Sequence, residues 1–465
     1  MCRTIILGLL LAASALAETR ITVDPTAQRQ TFDGMGCGTI FYSGHITSLA
    51  KRNKHKLQEQ FYDALFVDVK TQFLHLMIRP DFEPANDNED PYRAEFAEDA
   101  FKANKSAVEV SKAALKRRPD MQLFATLYTP PSWMKTNGKP EGGGKENATL
   151  KPGLALELGE YIWAYLQHMQ AEGVPVHYLS ICNESDWEHS QPSYYLDANR
   201  HAALFRVLAE YLDTMAERYP DVPRPKLVAP NMLSAVDTAK RYWPALEKAG
   251  ALDQVDVLGV HDYDRRGHRW KTLRELAGDR PLWCTEWCWN GKDSSPNLIR
   301  AASEFWLVMT EAFNDGANVW MAYDWAYPPR EGGEALTHVE WGQSYHKTKI
   351  YHAFRQWCNP LTPGMRIVDC ALTGPGATGI STPGVKSSAF LDTETGRLVV
   401  HIVNLQDSPA DIATQISQGS YQVEQILRTS GEDAGKAYPA RPLTDGALPD
   451  TLKPREMVTY VLHRN

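Results

Sequence analysis

Short apolar segments alternate with longer amphipathic segments along most of the chain, and this alternation restricts the possible folds more than any other feature. The apolar segments are rich in Val, Ile, Leu, Phe and Trp without strict polar–apolar alternation, as in strands buried on both faces. They are Phe73–Ile78, Gln122–Tyr128, Val176–Ile181, Lys226–Ala229, Val257–Val260, Pro281–Thr285 and Asn318–Ala322, with an eighth around Thr31–Gly36. Helical segments such as Leu154–Glu172 and His201–Tyr219 lie between them. Eight strand–helix units predict an α/β fold, a TIM (β/α)8 barrel over residues 31–363.

A doubly wound parallel sheet is the alternative arrangement of alternating strands and helices. Such sheets usually carry a Gly-x-Gly-x-x-Gly turn after the first strand, where the backbone binds phosphate. The glycines near the first predicted strand read Gly34-Met35-Gly36-Cys37-Gly38, and residue 39 is Thr. The spacing does not match, so the sequence favours the barrel.

The chain changes character towards its C-terminal end, where strand-like segments replace the long helices. These segments are Ser387–Asp392, Arg397–Leu405, Tyr421–Leu427 and Glu456–Leu462. The first two flank Thr393-Glu394-Thr395-Gly396, which is typical of a β-hairpin turn. We therefore expect a β-sandwich domain over residues 364–465. Thr19–Val23, within residues 18–30, is also strand-like, and we expect it to join this β-domain.

The first 17 residues have the pattern of a signal peptide. Arg3 supplies a positive charge, Ile5–Leu11 is apolar, and Ala15-Leu16-Ala17 is a small-residue cleavage site. No later stretch has the roughly 18 consecutive apolar residues of a membrane-spanning helix. We expect cleavage after Ala17, a secreted or periplasmic protein and no membrane anchor.

Charge and cysteine content restrict the partners and cofactors. The 465 residues include 49 Lys and Arg against 57 Asp and Glu, so the net charge of −8 argues against nucleic acid as the main partner. Of the six cysteines after the signal segment, Cys358 and Cys370 are the pair close enough in sequence to suggest a disulfide; buried thiols are the default expectation. Cys284-x3-Cys288 has no second matching pair, which disfavours zinc. We expect a monomer that needs no metal or cofactor.

Two glutamates follow predicted strands at the end of the barrel where active sites lie. Glu184 follows the fourth strand and Glu286 the seventh, and three tryptophans, Trp187, Trp287 and Trp289, lie within three residues of one or the other. Strands four and seven face each other across the barrel mouth, so the two carboxyls can flank one glycosidic bond. Hydrolysis of that bond needs one protonated and one ionised carboxyl. The alternative is that each is an ordinary surface or ion-paired glutamate.

Several longer motifs resemble those of a known enzyme family. They are Asp33-Gly34-Met35-Gly36, the run Thr129–Gly138 (TPPSWMKTNG), Asp324-Trp325, and the passage from Tyr351–Phe354 to Pro363–Ile367. Together with the two glutamates they resemble a clan A retaining glycoside hydrolase, most closely glycoside hydrolase family 30. Members of that family cleave glucosylceramide, xylan, β-1,6-glucan or β-1,6-galactan. The resemblance covers nearly the whole chain after the signal segment.

The resemblance implies roles for residues at the matched positions. Glu184 is the acid/base and Glu286 the nucleophile, and Asn183 holds the 2-hydroxyl of the sugar. Arg79, at the end of the second strand, is similar to the arginine that keeps the nucleophile anionic, and Tyr263 is placed to donate a hydrogen bond to Glu286.

Four further residues are implied in substrate binding. His261 begins the His-x-Tyr pattern after the sixth strand, Trp133 and Trp325 form an aromatic floor under the sugar ring, and Asp81 matches a substrate-binding aspartate. The expected protein is a secreted retaining β-glycosidase that cleaves a β-1,6-glucan, a β-1,6-galactan or xylan by double displacement. A carbohydrate-binding relative that keeps the barrel without activity is the alternative. The basic run 265–269 either binds a uronate or is a solvated loop.

Overall fold

A computed structural model of the chain describes residues 18–51, 54–94, 97, 99–143, 148–187, 190–264, 269–289, 298–329, 332–379 and 382–465. The predicted signal peptide, residues 1–17, lies outside these ranges.

Eight parallel strands close into a barrel, which confirms the predicted fold class. After an N-terminal strand β1 (Thr19–Thr31), the barrel strands are β2 (Gly34–Thr39), β3 (Phe73–Ile78), β4 (Gln122–Leu127), β5 (Tyr178–Ser180), β6 (Lys226–Met232), β7 (Val257–Val260), β8 (Leu282–Cys284) and β9 (Val319–Ala322). The first barrel strand begins three residues later than predicted. Thr31 is instead the last residue of β1, and it pairs with Arg366 in a sheet formed outside the barrel by the C-terminal part of the chain.

Helices surround the barrel. They are α1 (Ser43–Ser48), α2 (His55–Phe66), α3 (Lys105–Arg117), α4 (Ala155–Ala171), α5 (Ala198–Arg218), α6 (Ala235–Asp237), α7 (Trp243–Lys248), α8 (Arg269–Ala277), α9 (Ile299–Asn314) and α10 (Lys349–Cys358). Short helical turns are the π-helix Thr238–Tyr242 and the 3-10 helices Ala100–Asn104, Ser132–Met134 and Leu252–Gln254. The N-terminus of α5 is capped by a side chain. Asp197 accepts hydrogen bonds from the backbone N–H groups of Asn199 and Arg200, both at 3.0 Å.

The barrel interior is filled by side chains. Phe73, Phe124, Val228, Val257, Trp283, Val319 and Met321 form one buried cluster contributed by six of the strands. A ligand therefore meets the barrel at its end and not along its axis. A three-stranded sheet that the sequence did not reveal follows β9, made of β10 (Asp324–Tyr327), β11 (Ala335–Glu340) and β12 (Ser344–Lys347).

The remaining strands form a second, mostly antiparallel sheet. They are β13 (Arg366–Thr373), β14 (Val385–Leu391), β15 (Leu398–Asn404), β16 (Ala410–Ile416), β17 (Tyr421–Thr429), β18 (Ala434–Tyr438), β19 (Ala447–Leu452) and β20 (Met457–Arg464). The sheet order is β18-β17-β20-β15-β14-β13-β1-β16-β19. Asp450 of β19 accepts hydrogen bonds from Arg428 of β17 and, at 2.6 Å, from Tyr460 of β20, so the two ends of the sheet face each other as a sandwich.

The N-terminal strand joins the two halves of this sheet, as the sequence predicts. Ile21 pairs with Leu372 of β13 in an antiparallel ladder and with Thr414 of β16 in a parallel one. The sandwich also shares an apolar core with the barrel helices. Phe390 of β14 lies with its ring 5.6 Å from that of Phe313 in α9.

The six cysteines among the described residues are free thiols. Cys358 lies in α10 and Cys370 in β13, where its Sγ is 3.0 Å from Ser387 Oγ, so the disulfide considered from the sequence is not formed. Within the described ranges, no helix is both long and apolar enough to cross a membrane.

Candidate active site

The two glutamates meet at the C-terminal end of the barrel. Glu184 lies just beyond β5 and Glu286 just beyond β8, and each is only 4% exposed. One carboxyl oxygen of each, together with a ring nitrogen of His261, lies within 4.8 Å of the others. The structure thus brings together two carboxyls that are 102 residues apart in sequence.

The backbone that carries Glu184 is in an unusual conformation. Glu184 has φ +48°, and Asn231, which follows the cis peptide bond between Ala229 and Pro230 within β6, has φ +63°. Left-handed values at non-glycine residues cost about 1–3 kcal/mol each and persist only where surrounding contacts hold them. Asn231 provides those contacts: its carbonyl accepts from Glu184 N–H at 3.1 Å, its Nδ2 donates to Cys182 O at 3.1 Å, and its Oδ1 accepts from Thr285 Oγ1 at 2.6 Å. Asn231 therefore ties both glutamate loops together.

Glu286 accepts hydrogen bonds from two tyrosines. Tyr128 OH donates to Oε2 at 2.8 Å, and Tyr263 OH donates to Oε1 at 3.1 Å. Burial raises the pKa of Glu286, and the nearby Glu184 adds to that shift, whereas His261 and both hydroxyls oppose it by stabilising the carboxylate. The Tyr263 contact is the one the sequence predicted. Tyr128 was missed, although its position at the end of a barrel strand was a usable signal.

His261 lies between the two carboxyls. Its Nδ1 is 2.7 Å from Glu184 Oε1 and 3.5 Å from Glu286 Oε1, and its Nε2 has no hydrogen-bond partner among the residues that the structure describes. Burial alone would lower the pKa of His261, but the two carboxylates outweigh burial and raise it. The two carboxylates therefore favour the protonated form of this imidazole.

Asn183 is nearly buried and lines the same cavity as the glutamates. Its Oδ1 accepts no hydrogen bond from any residue the structure describes. A buried, unpaired amide oxygen beside two carboxyls is ready to accept a hydrogen bond from a ligand hydroxyl.

Arg79 pairs with Asp81 and not with Glu286, whereas the substrate-binding role of Asp81 stays a prediction. The Arg79 guanidinium binds Asp81 through Nε and Nη2, at 3.0 and 2.7 Å, on the partly exposed loop after β3. The Asp81 carboxylate thus neutralises the charge of Arg79. Glu286 receives its hydrogen bonds from Tyr128 and Tyr263 instead. The expectation that Arg79 holds Glu286 anionic is corrected accordingly.

The predicted tryptophan floor is also different in the structure. Trp325 is 0% exposed because its ring points outward from the barrel and packs against Phe66 of α2 and Phe354 of α10, each with centroids 6.3 Å apart. Trp133 donates its indole N–H to Glu83 O at 3.1 Å and is not among the residues that line the glutamate cavity. Trp325 therefore belongs to the core.

Tyrosines provide the aromatic wall instead. The cavity has a volume of about 550 Å³ and is lined by Tyr128, Tyr263, Tyr323 and Tyr327 together with both glutamates. Trp187, which is 54% exposed, stands at its rim. The space is large enough for a sugar, with flat side chains on its walls and two carboxyls on its floor.

The basic run after β7 is only partly described, because residues 265–268 lie outside the described ranges. Arg269 is buried and paired with Asp262 and, at 3.1 Å, with Glu311. It therefore buttresses the loop that carries His261 and does not reach the cavity.

Glu184, His261 and Glu286 are also the one described group with enough nearby ligand atoms for a metal ion. The 2.7 Å contact between His261 Nδ1 and Glu184 is a direct hydrogen bond. A metal bound by both would instead sit between these two atoms, about 2.0–2.2 Å from each. The geometry fits a shared proton better than a shared metal.

No protein-family model matches the chain. Solved structures do match it over nearly its whole length. Xylanase C of Talaromyces cellulolyticus, a glycoside hydrolase family 30 catalytic domain, has a TM-score of 0.74 at 18% identity over 95% of this chain and 99% of that one. SrfJ from Salmonella typhimurium has 0.75 at 18% over 96% and 92%, and the endo-β1,6-glucanase BT3312 has 0.70 at 16% over 96% and 94%. The chain has the fold of glycoside hydrolase family 30. The resemblance noted from sequence motifs is thereby confirmed at the level of the fold.

Proposed function

We propose that the protein is a retaining β-glycosidase in which Glu286 is the nucleophile and Glu184 the acid/base. The observation that supports this most is the pair of buried carboxyls, with oxygens within 4.8 Å, on the floor of an aromatic cavity. Retaining enzymes hold their carboxyls about 5–5.5 Å apart, whereas inverting enzymes need about 6.5–9.5 Å to admit a water. The observed separation favours the retaining class.

The reaction follows from the two roles. In the first step a Glu286 oxygen attacks the anomeric carbon, the bond to the leaving oxygen breaks, and Glu184 gives that oxygen its proton. In the second step Glu184 removes a proton from water, the water oxygen attacks the same carbon, and the bond to Glu286 breaks. The product has the configuration of the substrate, and both carboxyls return to their starting states.

The surrounding groups match these roles. Tyr128 and Tyr263 donate to Glu286 and favour its anionic, nucleophilic form. His261 Nδ1 lies 2.7 Å from Glu184 and 3.5 Å from Glu286, so the protonation of each carboxyl depends on the imidazole between them. Asn183 supplies an unpaired amide oxygen, which suits a hydrogen bond from the sugar 2-hydroxyl as its ring flattens.

The proposed substrate is a β-linked glycan. The structural neighbours include a xylanase and an endo-β1,6-glucanase, which keeps xylan and β-1,6-glucan, with β-1,6-galactan, as the candidates. The signal-peptide pattern of residues 1–17 supports a secreted or periplasmic enzyme, and we propose that it acts as a monomer.

Product analysis over a panel of xylan, β-1,6-glucan and β-1,6-galactan tests this proposal. We expect soluble sugars from at least one of the three, and none from the Glu286→Gln variant measured alongside. If the protein binds one of these glycans but releases no sugar from any of them, the hydrolase proposal is wrong and a binding protein is the better description.

A further inference from the structure

One wall of the cavity continues onto the protein surface as a row of aromatic side chains. The ring of Tyr327, in the cavity wall, lies 4.3 Å from that of Tyr42. Tyr42 lies 5.1 Å from His45, and His45 lies 4.8 Å from Trp341, all measured between ring centroids. We call these four residues the aromatic row.

Exposure increases along the aromatic row. Tyr327 is buried, Tyr42 and His45 are half-buried, and Trp341 is 48% exposed. Scattered exposed hydrophobic residues are common and mean little. Trp341 is not such a scattered residue, because it ends a continuous row of rings that begins in the cavity. The row therefore extends the surface that a ligand in the cavity can contact.

The aromatic row carries hydrogen-bonding groups as well as ring faces. The Tyr42 hydroxyl and the Trp341 indole N–H form no hydrogen bond with any described residue. Lys51 lies over the Trp341 ring, with Nζ 4.4 Å from the centroid, which restrains the indole while leaving about half of it open. Sugar rings have an apolar C–H face and a polar hydroxyl edge, so a flat ring with a free donor suits them.

The position of the row relative to the glutamates indicates which part of a glycan it meets. Trp187 lies three residues after Glu184 in the loop after β5, and its backbone N–H donates to Glu184 O at 2.9 Å. The acid/base protonates the leaving oxygen, so the leaving part of the glycan lies towards Trp187. The aromatic row starts from loops after β2 and at the end of β10, three strands away from β5 in the barrel.

We propose that the aromatic row binds the glycone side of a glycan chain, the sugars beyond the one that becomes bonded to Glu286. This inference rests on the proposed function and narrows it: the natural substrate is an oligosaccharide or polysaccharide, and the enzyme gains affinity from sugars well outside the cavity. A free monosaccharide glycoside would leave Tyr42 and Trp341 without contact.

Binding to a catalytically inactive parent tests the row separately from catalysis. In the Glu286→Gln background, affinities are measured by calorimetry for xylo-oligosaccharides and β-1,6-gluco-oligosaccharides from the disaccharide to the hexasaccharide. Trp341→Ala and Tyr42→Ala should each weaken binding of the longest bound chain on the order of tenfold, with a smaller effect as the chain shortens. Trp341→Phe should keep most of the affinity. Val67→Ala, at an exposed apolar residue after α2, is the control and should bind every chain like the parent.

The two possible failures are distinguishable. If the unsubstituted enzyme hydrolyses a glycan while Trp341→Ala and Tyr42→Ala bind all lengths of its oligosaccharides like the parent, the aromatic row is not a binding surface and the hydrolase proposal stands. If no glycan is bound or hydrolysed at all, both proposals are wrong.

Discussion

His261 Nδ1 lies 2.7 Å from Glu184 Oε1, inside hydrogen-bond distance of the proposed acid/base. The same nitrogen is 3.5 Å from Glu286. One imidazole therefore acts on both carboxyls, and the three groups titrate as a unit. Sequence motifs assigned the contact with Glu286 to Arg79, whereas in the structure the basic side chain beside both carboxyls is His261.

Removing His261 should change the pH dependence of activity. Glu286 must be ionised to attack. Burial raises its pKa, and the nearby imidazole opposes that rise. In His261→Ala that pKa should rise, so the acid limb of the kcat/KM profile should move up by about one pH unit or more. Arg79→Met is the matched control and should leave the acid limb in place, because Arg79 is paired with Asp81. An acid limb that moves in Arg79→Met and stays fixed in His261→Ala would restore the sequence-based assignment.

The two glutamates should respond differently to the leaving group. Glu184→Ala should lower kcat/KM by about 10²–10⁴ for poorly acidic leaving groups, yet spare the first step for very acidic ones, which need no proton. Glu286→Ala should abolish turnover of every substrate, since no covalent intermediate can form. A series of aryl β-glycosides of graded leaving-group acidity measures both. Equal losses across the series in both variants would mean that the roles are assigned wrongly.

The stereochemistry of the product should be retained. One oxygen of each carboxyl lies within 4.8 Å of the other, which is closer to the spacing of a double displacement than to that of a direct displacement by water. An NMR time course on a β-linked substrate should therefore show the β-anomer first, with the α-anomer appearing only through later mutarotation. Early appearance of the α-anomer would contradict the double displacement.

The barrel should not survive removal of the β-sandwich. A chain that ends at Pro363 loses β13 to β20, which leaves β1 without partners and uncovers Trp357 of α10, whose ring packs 4.3 Å from that of His401. Exposed apolar helix faces and an open strand edge favour aggregation. We expect insoluble protein on expression. A soluble, fully active product would show that the sandwich is an appended module.

The sequence correctly predicted those features of the fold that depend on one local rule. Eight apolar runs with helices between them define the barrel, and a glutamate that follows a barrel strand necessarily lies at the active-site end, which places Glu184 and Glu286. The strand-like segment before the barrel pairs as predicted because its apolar residues, such as Ile21, need a sheet to bury them.

The sequence did not predict those contacts that depend on the direction in which a side chain points. Arg79 can turn to a carboxylate two residues away, and nothing in its motif prevents that. Trp325 follows the strand direction outward into the helix layer, whereas Tyr128, with no motif of its own, points inward to Glu286. Asn231 matters through contacts of its carbonyl and its side chain with the loops after β5 and β8, which only the folded chain reveals.

The most direct test of the account is to trap the intermediate on the enzyme. The reagent is the 2-deoxy-2-fluoro glycosyl fluoride of the sugar that the enzyme is found to release from its glycan substrate. It should react once per chain, and the resulting glycosyl-enzyme should hydrolyse slowly. Peptide mapping by mass spectrometry should place the added sugar on Glu286, and the Glu286→Gln variant should remain unlabelled. Label on Glu184, or turnover of the true substrate with no residue ever labelled, would contradict the proposed mechanism.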